Sequence, residues 1–384
     1  MDFISNNNFK IANTDITRNL QREIRNTVND CQSVIHRSEK WKYVNLNPTA
    51  PTVRGLVKIH KEDTPIRPII NWKNAPGYKL TKMLAGKLTS YTPLPFAYNV
   101  TNTVQLMNDL TDIPYDHSIK FAPLDISSMY SNIPTKDLMT TLRKLWEKNN
   151  VDERTTQDIT RIAQTLVGQN YFRFRDIIYV QNEGLAMGAP TSSILSEVYL
   201  QYLENTTIYE LLIKHKVEGY FRYVDDVLVI YKDDKTNIHR VLEDFNNLAP
   251  SIKFTLEEEQ NNRINFLDIT ITKNQEGLSF EIYRKPTATD IITPNDSCRP
   301  KEHKTAAIRY YCNRMKTYKL TPESRQKERE SIRQILVNNK YDASSLEKFN
   351  KEKRQGQNNQ KQMWAKFTYV GKETRFITQL FKKT

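Results

Sequence analysis

Three aspartates carry the chemistry that this sequence can do. Asp225 and Asp226 stand side by side in YVDD (223–226), between two runs rich in β-formers. A two-residue turn at such a place favours Asn-Gly or Asp-Gly. Here both expected turn residues are Asp, and adjacent carboxylates repel unless a cation neutralises them. A solvated acidic turn is the plainer alternative. The third, Asp125, follows the apolar run FAPL near the end of a predicted strand, 100 residues earlier. Alone it reads as a strand-end cap. Together the two clusters offer hard oxygen donors from two strand ends, as a two-metal site requires. Mg²⁺ takes such ligands at about 2.0–2.1 Å and leaves the rest of its shell to substrate phosphates. Two ions about 3.5–4 Å apart can clamp the attacking 3′-oxygen and the leaving pyrophosphate oxygen of an in-line displacement. That reaction is nucleotidyl transfer, which asks for positioning and charge neutralisation.

Other residues fit a nucleotide pocket. Tyr130, five residues after Asp125, places an aromatic ring where it would pack beneath a sugar and clash with a 2′-hydroxyl. A core tyrosine is the alternative. Gly188 in GLAMGAP permits close backbone approach, for a turn or for a bound base. Arg67 in IRPII, with Lys58 and Lys61 across a presumed hairpin, offers charge to a triphosphate, Arg as a fork. Each of these three charges is, singly, more often just a surface charge.

These residues need elements to hold them. Residues 51–72 read as a hairpin around the polar turn KEDTP, and 78–108 as helix. FAPLDISSMY is a strand. Pro134-Thr135 opens a helix with Leu138, Met139, Leu142, Leu145 and Trp146 on one face, and another covers 152–168. YFRFRDIIYVQ alternates like a second hairpin. Pro190 precedes an amphipathic helix, YFRYVDDVLVIY reads strand–turn–strand, and a helix at 235–248 leads to the strands IKFTLE and INFLDITIT. Residues 1–50 read as a mostly helical segment, with Ile16, Leu20, Ile24 and Val28 at four-residue spacing. The plan is α+β, with a central antiparallel sheet and a helical, basic end. Between Arg314 and Lys366 there are 14 Lys or Arg against 6 Asp or Glu. With Tyr310, Tyr311, Tyr318, Tyr341, Phe349, Trp364 and Tyr369 interleaved, that end suits a duplex-gripping surface.

The bulk numbers agree. A formal charge of +13 over 384 residues predicts a polyanionic partner, although ribosomal-type or membrane-surface proteins share that trait. Cys31, Cys298 and Cys312 lack any C-x-x-C spacing, which argues against a disulfide framework or zinc knuckle and for a reducing compartment. The polar start MDFISNNNFK has no signal-peptide core, and no apolar run approaches the roughly 18 residues of a membrane span.

The ordered set GLVKIHK…IRPII, APLDISSMY, GLAMGAPTS, YVDD and NFLDITI resembles the motif order of reverse transcriptases. The finer wording, including YFRFRDIIYVQNEGLAMG, FRYVDDVLVIY and FEIYRKPTATD, resembles the enzymes of Penelope-like retroelements, relatives of the telomerase catalytic subunit. The resemblance spans residues 50–384. It implies a right-hand polymerase: fingers at 51–110 and 134–183, palm at 111–133 and 184–275, thumb at 276–384. It implies Asp125, Asp225 and Asp226 as catalytic metal ligands, Mg²⁺ as the pair of ions with Mn²⁺ as a substitute, and Tyr130 as the gate selecting deoxyribonucleotides. Met187 and Gly188 would lie beside the incoming base, and Arg67 with Lys58 or Lys61 would grip the triphosphate. Lys253 would be a proton donor to pyrophosphate, and Asn265, Phe266 and Leu267 the primer grip. The implied partners are an RNA template, a DNA primer or target DNA end, and dNTPs, with no membrane; the implied location is the nucleus.

Departures from the pattern are mild. Val57 stands in a proline place, Ala189 in the serine place of MGSP, and RPKEHK (299–304) replaces an HPxxHK-like run. Many such enzymes continue into a GIY-YIG endonuclease, which these 384 residues do not contain, so no nicking activity is expected of them. Two competing readings are a catalytically silent polymerase-like RNA-binding protein and an RNA-dependent RNA polymerase. The intact carboxylates oppose the first; Tyr130 opposes the second.

Overall fold

The run IKFAPLDI forms a strand buried along most of its length, and the first of two units is built around it. The computed structural model describes residues 9–57, 66–91 and 98–347, with 369, 374 and 376. One unit comprises residues 1–101 and 118–259, the other residues 102–117 and 260–384.

In chain order the strands of the first unit are β1 (Phe9–Ala12), β2 (Thr52–Val57), β3 (Ile66–Asn71), β4 (Ile119–Ile126), β5 (Tyr171–Phe174), β6 (Ile177–Gln181), β7 (Gly219–Tyr223), β8 (Asp226–Lys232) and β9 (Phe254–Leu256). They make two sheets, ordered β1-β6-β5-β2-β3 and β7-β8-β4-β9. Both predicted hairpins, β2–β3 and β5–β6, are antiparallel pairs of the first sheet. The second sheet positions the aspartates. Pro123 is tolerated inside its central strand because its carbonyl accepts from Glu257, beyond the β9 ladder. The missing N–H therefore faces that side and costs the β8 ladder nothing.

Helices cover the sheets where the apolar spacing demanded it. Thr17–Asp30 buries Leu20, Ile24 and Val28. Thr135–Lys148 buries Leu138, Leu142, Leu145 and Trp146, and Glu153–Val167 is capped by the Asp152 carboxylate on the Thr155 amide. Ser192–Leu203 buries Leu195, Val198, Tyr199 and Leu203 in the same core as Val227 and Val229 of β8.

Before residue 113, two expectations change. The N-terminal segment, read as helical, begins its described part with strand β1, which pairs with β6. The helix expected over 78–108 is two helices, Tyr78–Tyr91 and Thr103–Asp112. The Asn102 side chain caps the second by accepting from the Gln105 amide, so the chain must leave helical geometry before it.

The second unit has a sheet of β10 (Arg263–Phe266), β11 (Ile269–Asn274) and β12 (Gly277–Ile282), so INFLDITIT is a hairpin and not one strand. Its helices Lys301–Thr317 and Pro322–Asn338 share a core of Ile308, Cys312, Met315, Ile332, Ile335 and Leu336. Cys31 and Cys312 are buried, Cys298 is exposed, and all three are free thiols. Among the described residues, no helix is long and apolar enough to cross a membrane.

Candidate active site

Tyr223 pairs directly with Asp226, so the two residues of the β7–β8 turn are Val224 and Asp225. The reading in which both turn residues are Asp is corrected: Asp226 is the first residue of β8. Val224 carries the turn with φ +59°, a left-handed conformation that a β-branched side chain rarely adopts. Such strain costs roughly 1–3 kcal/mol and persists only where the surroundings hold it.

The neighbouring strand completes the cluster. Asp125 of β4 pairs directly with Asp226, which places the two carboxylates on one face of the sheet. The Ile126 amide donates to the Asp225 carbonyl at 3.1 Å, tying the turn to the strand end that carries Asp125. All three aspartates are half-buried. Like charges directly opposite destabilise a ladder, so a cation is the natural complement of this donor set. Among the described residues, no group of three His, Cys, Asp or Glu side chains closes into a metal cage. An Mg²⁺ site for a nucleotide needs only one or two carboxylates, because phosphate and water oxygens complete it.

One residue before the motif, Arg222 is fully buried. Its guanidinium meets Glu197 on helix Ser192–Leu203 at 2.8 Å, through both terminal nitrogens, and Glu204 in the π-helical segment Glu204–Ile208. Burial opposes charge on Glu197, yet the Arg222 hydrogen bonds outweigh it and hold the pKa below the usual carboxylate range. At Glu204 burial wins over Arg222, and the pKa lies above that range. Removing one partner of such a buried pair costs roughly 3–5 kcal/mol. Sequence reading passed over this arginine. A signal was present: Tyr220 and Arg222 share a strand face by alternation, and a cation on a buried face requires carboxylates.

Tyr130 lies beside the cluster. Burial chiefly raises its hydroxyl pKa, with the nearby Asp225 charge adding to the shift and the neighbouring Ser196 side chain opposing it. Its carbonyl accepts from the Leu185 amide at 2.6 Å, which joins the tyrosine turn to GLAMGAP. Gly184, also overlooked, makes that junction possible. At φ +83°, a Cβ there would stand 2.3 Å from the Ser131 carbonyl oxygen. Gly188, at φ +92°, approaches the backbone of β3, where a Cβ would meet the Ile70 carbonyl oxygen at 2.4 Å. Its freedom thus serves a close backbone approach. Met187 packs on the Ile70–Trp72 cluster.

The remaining candidates scatter. Arg67, on β3, pairs with Leu56 of β2, while Lys58 and Lys61 lie outside the described residues. Lys253 borders the cluster through its carbonyl, which accepts from Ser127, but its ammonium donates to the Asn246 carbonyl at 2.7 Å. Asn265, Phe266 and Leu267 belong to the second unit. There Leu267 turns at φ +53°, and Asp268 beyond it accepts from Thr103 at 2.5 Å and Tyr318 at 2.6 Å.

A family model described as "Reverse transcriptase (RNA-dependent DNA polymerase)" matches residues 59–265, more than half of the chain, across the aspartates, Tyr130 and GLAMGAP. The chain belongs to the reverse transcriptase family. A second model, "Animal helix-turn-helix domain", matches residues 291–350 of this reverse transcriptase, over the basic helices of the second unit. No curated protein matches the sequence. Among solved structures, telomerase from Candida albicans, in complex with the TWJ fragment of telomeric RNA, is similar with a TM-score of 0.54 at 12% identity, over 79% of this chain and 58% of that one. Telomerase from Candida tropicalis gives 0.47 at 12%, over 80% and 56%. A Sicinivirus RNA-dependent RNA polymerase gives 0.48 at 13%, over 86% and 69%. The reverse transcriptase spans less than three fifths of the length of either telomerase chain. The α+β architecture is that of a right-hand polymerase.

Proposed function

We propose that this reverse transcriptase is an RNA-directed DNA polymerase that extends a DNA 3′ end, a primer or a target DNA end, on an RNA template, in the service of retrotransposition by a Penelope-like element in the nucleus. The observation that carries the reading is the β4–β8 register. It sets Asp125 opposite Asp226, with Asp225 in the adjoining turn and Tyr130 alongside.

In this reading Asp125, Asp225 and Asp226 hold two divalent ions, Mg²⁺ or Mn²⁺. Bound there, the ions neutralise charge on the attacking 3′-oxygen and the leaving pyrophosphate. The chain's own residues do the rest. Tyr130 presents its ring to the sugar of the incoming nucleotide and keeps its hydroxyl protonated. Met187 and Gly188 border the base, and Arg67 with Lys58 or Lys61 grips the triphosphate. Lys253 donates the pyrophosphate's proton, and Asn265 to Leu267 hold the primer end. The fingers take 51–110 and 134–183, the palm 111–133 and 184–275, and the thumb 276–384. The basic thumb helices grip phosphates of any sequence.

Primer extension with Mg²⁺, on matched RNA and DNA templates with dNTPs and rNTPs in parallel, tests the proposal. Extension by dNTPs on RNA is expected. Tight, salt-sensitive binding without extension would favour the silent RNA-binding protein, and preferential rNTP incorporation would favour an RNA polymerase.

A further inference from the structure

The Arg222 guanidinium makes five hydrogen bonds, and it has five N–H donors. Four go to Glu197 and Glu204. The fifth goes from a terminal nitrogen to the Val224 carbonyl at 3.2 Å. That carbonyl belongs to the strained residue of the aspartate turn, whose φ is +59°. The two carboxylates are seven residues apart, two turns along one helical face, but Glu204 opens a π-helical segment. A π-turn inside a helix re-aims the side chains around it and often serves a site. Glu204 also accepts from the Tyr220 hydroxyl at 3.3 Å, and Glu197 accepts from Gln201 at 2.5 Å. The backbone of Arg222 is fixed too: its amide donates to Tyr98 at 3.0 Å, and its carbonyl accepts from Val100 at 2.8 Å. The guanidinium is therefore set by the helix before it reaches the turn.

We propose that Arg222 is a positioning residue: anchored by Glu197 and Glu204, it holds the Val224 carbonyl and so fixes the strained turn that presents Asp225 and Asp226. The proposal rests on the reading of those aspartates as the reacting carboxylates. It explains why a β-branched residue occupies a left-handed position without a glycine to relieve it. It also gives the buried cation a task that apolar packing could not perform, because only a planar fork meets two carboxylates and a carbonyl together. Helix Ser192–Leu203 then serves two functions, with Glu197 steering the turn and Ser196 lying beside Tyr130.

The test is Arg222→Lys, which keeps the charge but has three donors from a single point. The Ile126 amide, bonded to the Asp225 carbonyl, reports the turn in metal-free protein. We expect its hydrogen exchange to accelerate about tenfold or more, with the interior β4–β8 amides unchanged. The Mg²⁺ concentration for half-maximal extension should rise about 10- to 100-fold, as for removal of a group that orients metal ligands, with KM for dNTP nearly constant. Unchanged Ile126 exchange, or uniform acceleration along β4 and β8, would overturn the proposal and leave Arg222 a packing residue. If Arg222→Lys does not fold, Glu197→Gln carries the test. Its side chain is 27% exposed, and the same localised effect is expected at smaller size, with no change at Ile126 counting against the idea. Asp225→Asn run in parallel separates the two readings. An active Asp225→Asn would sink the aspartate assignment, whereas an inactive one beside a wild-type-like Arg222→Lys would sink only the positioning role.

Discussion

The Leu185 amide donates to the Tyr130 carbonyl at 2.6 Å, so the tyrosine beside the aspartates is fixed through its backbone by the GLAMGAP loop. Its ring can be removed without disturbing that bond. Tyr130→Ala should admit ribonucleotides, lowering dNTP-over-rNTP discrimination about 10- to 200-fold, the worth of one misfitting group in a pocket. Single-nucleotide kcat/KM for dATP and rATP measures it. Unchanged discrimination would remove the gate role from Tyr130.

Gly184 makes that junction possible by lacking a side chain. A methyl there meets the Ser131 carbonyl at 2.3 Å with φ at +83°. Gly184→Ala should destabilise the protein by at least roughly 1–3 kcal/mol from backbone strain alone. Urea denaturation would show a lower midpoint at constant slope. An unchanged midpoint would mean the loop and the tyrosine turn do not touch.

Lys316, Lys319 and Lys327 are exposed on the basic helices and the bend between them. Replacing them with Gln should weaken duplex binding equally for all sequences. Each phosphate left without its lysine should lower the slope of log Kobs against log salt by about 0.9. Fluorescence anisotropy across a salt series gives the slope. A slope identical to wild type would make these charges a solvated face.

Much of this was legible beforehand. The hairpins 52–71 and 171–181 and the helices from 135 to 203 followed from period-2 and period-3.6 patterns, because burial on one face leaves that trace. Asp125 was legible near a strand end, whereas Asp226 was read as a turn residue, and only the ladder reveals that the two are direct partners. What escaped was set by residues distant in sequence. Strand β1 exists because β6 offers it an edge. The placement of Val224 in the turn depends on where the β7–β8 ladder closes. Arg222 looked like an ordinary strand cation until Glu197 and Glu204 surrounded it. The break between the helices ending at Tyr91 and starting at Thr103 had local signals, Pro93, Pro95 and the Asn102 cap, that the apolar spacing overrode.

On the proposed function, the Asp225 carboxylate serves the reaction and not the grip on nucleic acid. Asp225→Asn keeps size and hydrogen-bonding capacity but removes the charge. Primer extension on an RNA template, beside anisotropy binding of the same primer–template, tests it most directly. Extension should fall by about 10²–10³-fold or more, as when a group that stabilises the transition state is deleted, while duplex affinity stays within about twofold. Wild-type extension by Asp225→Asn would contradict the account.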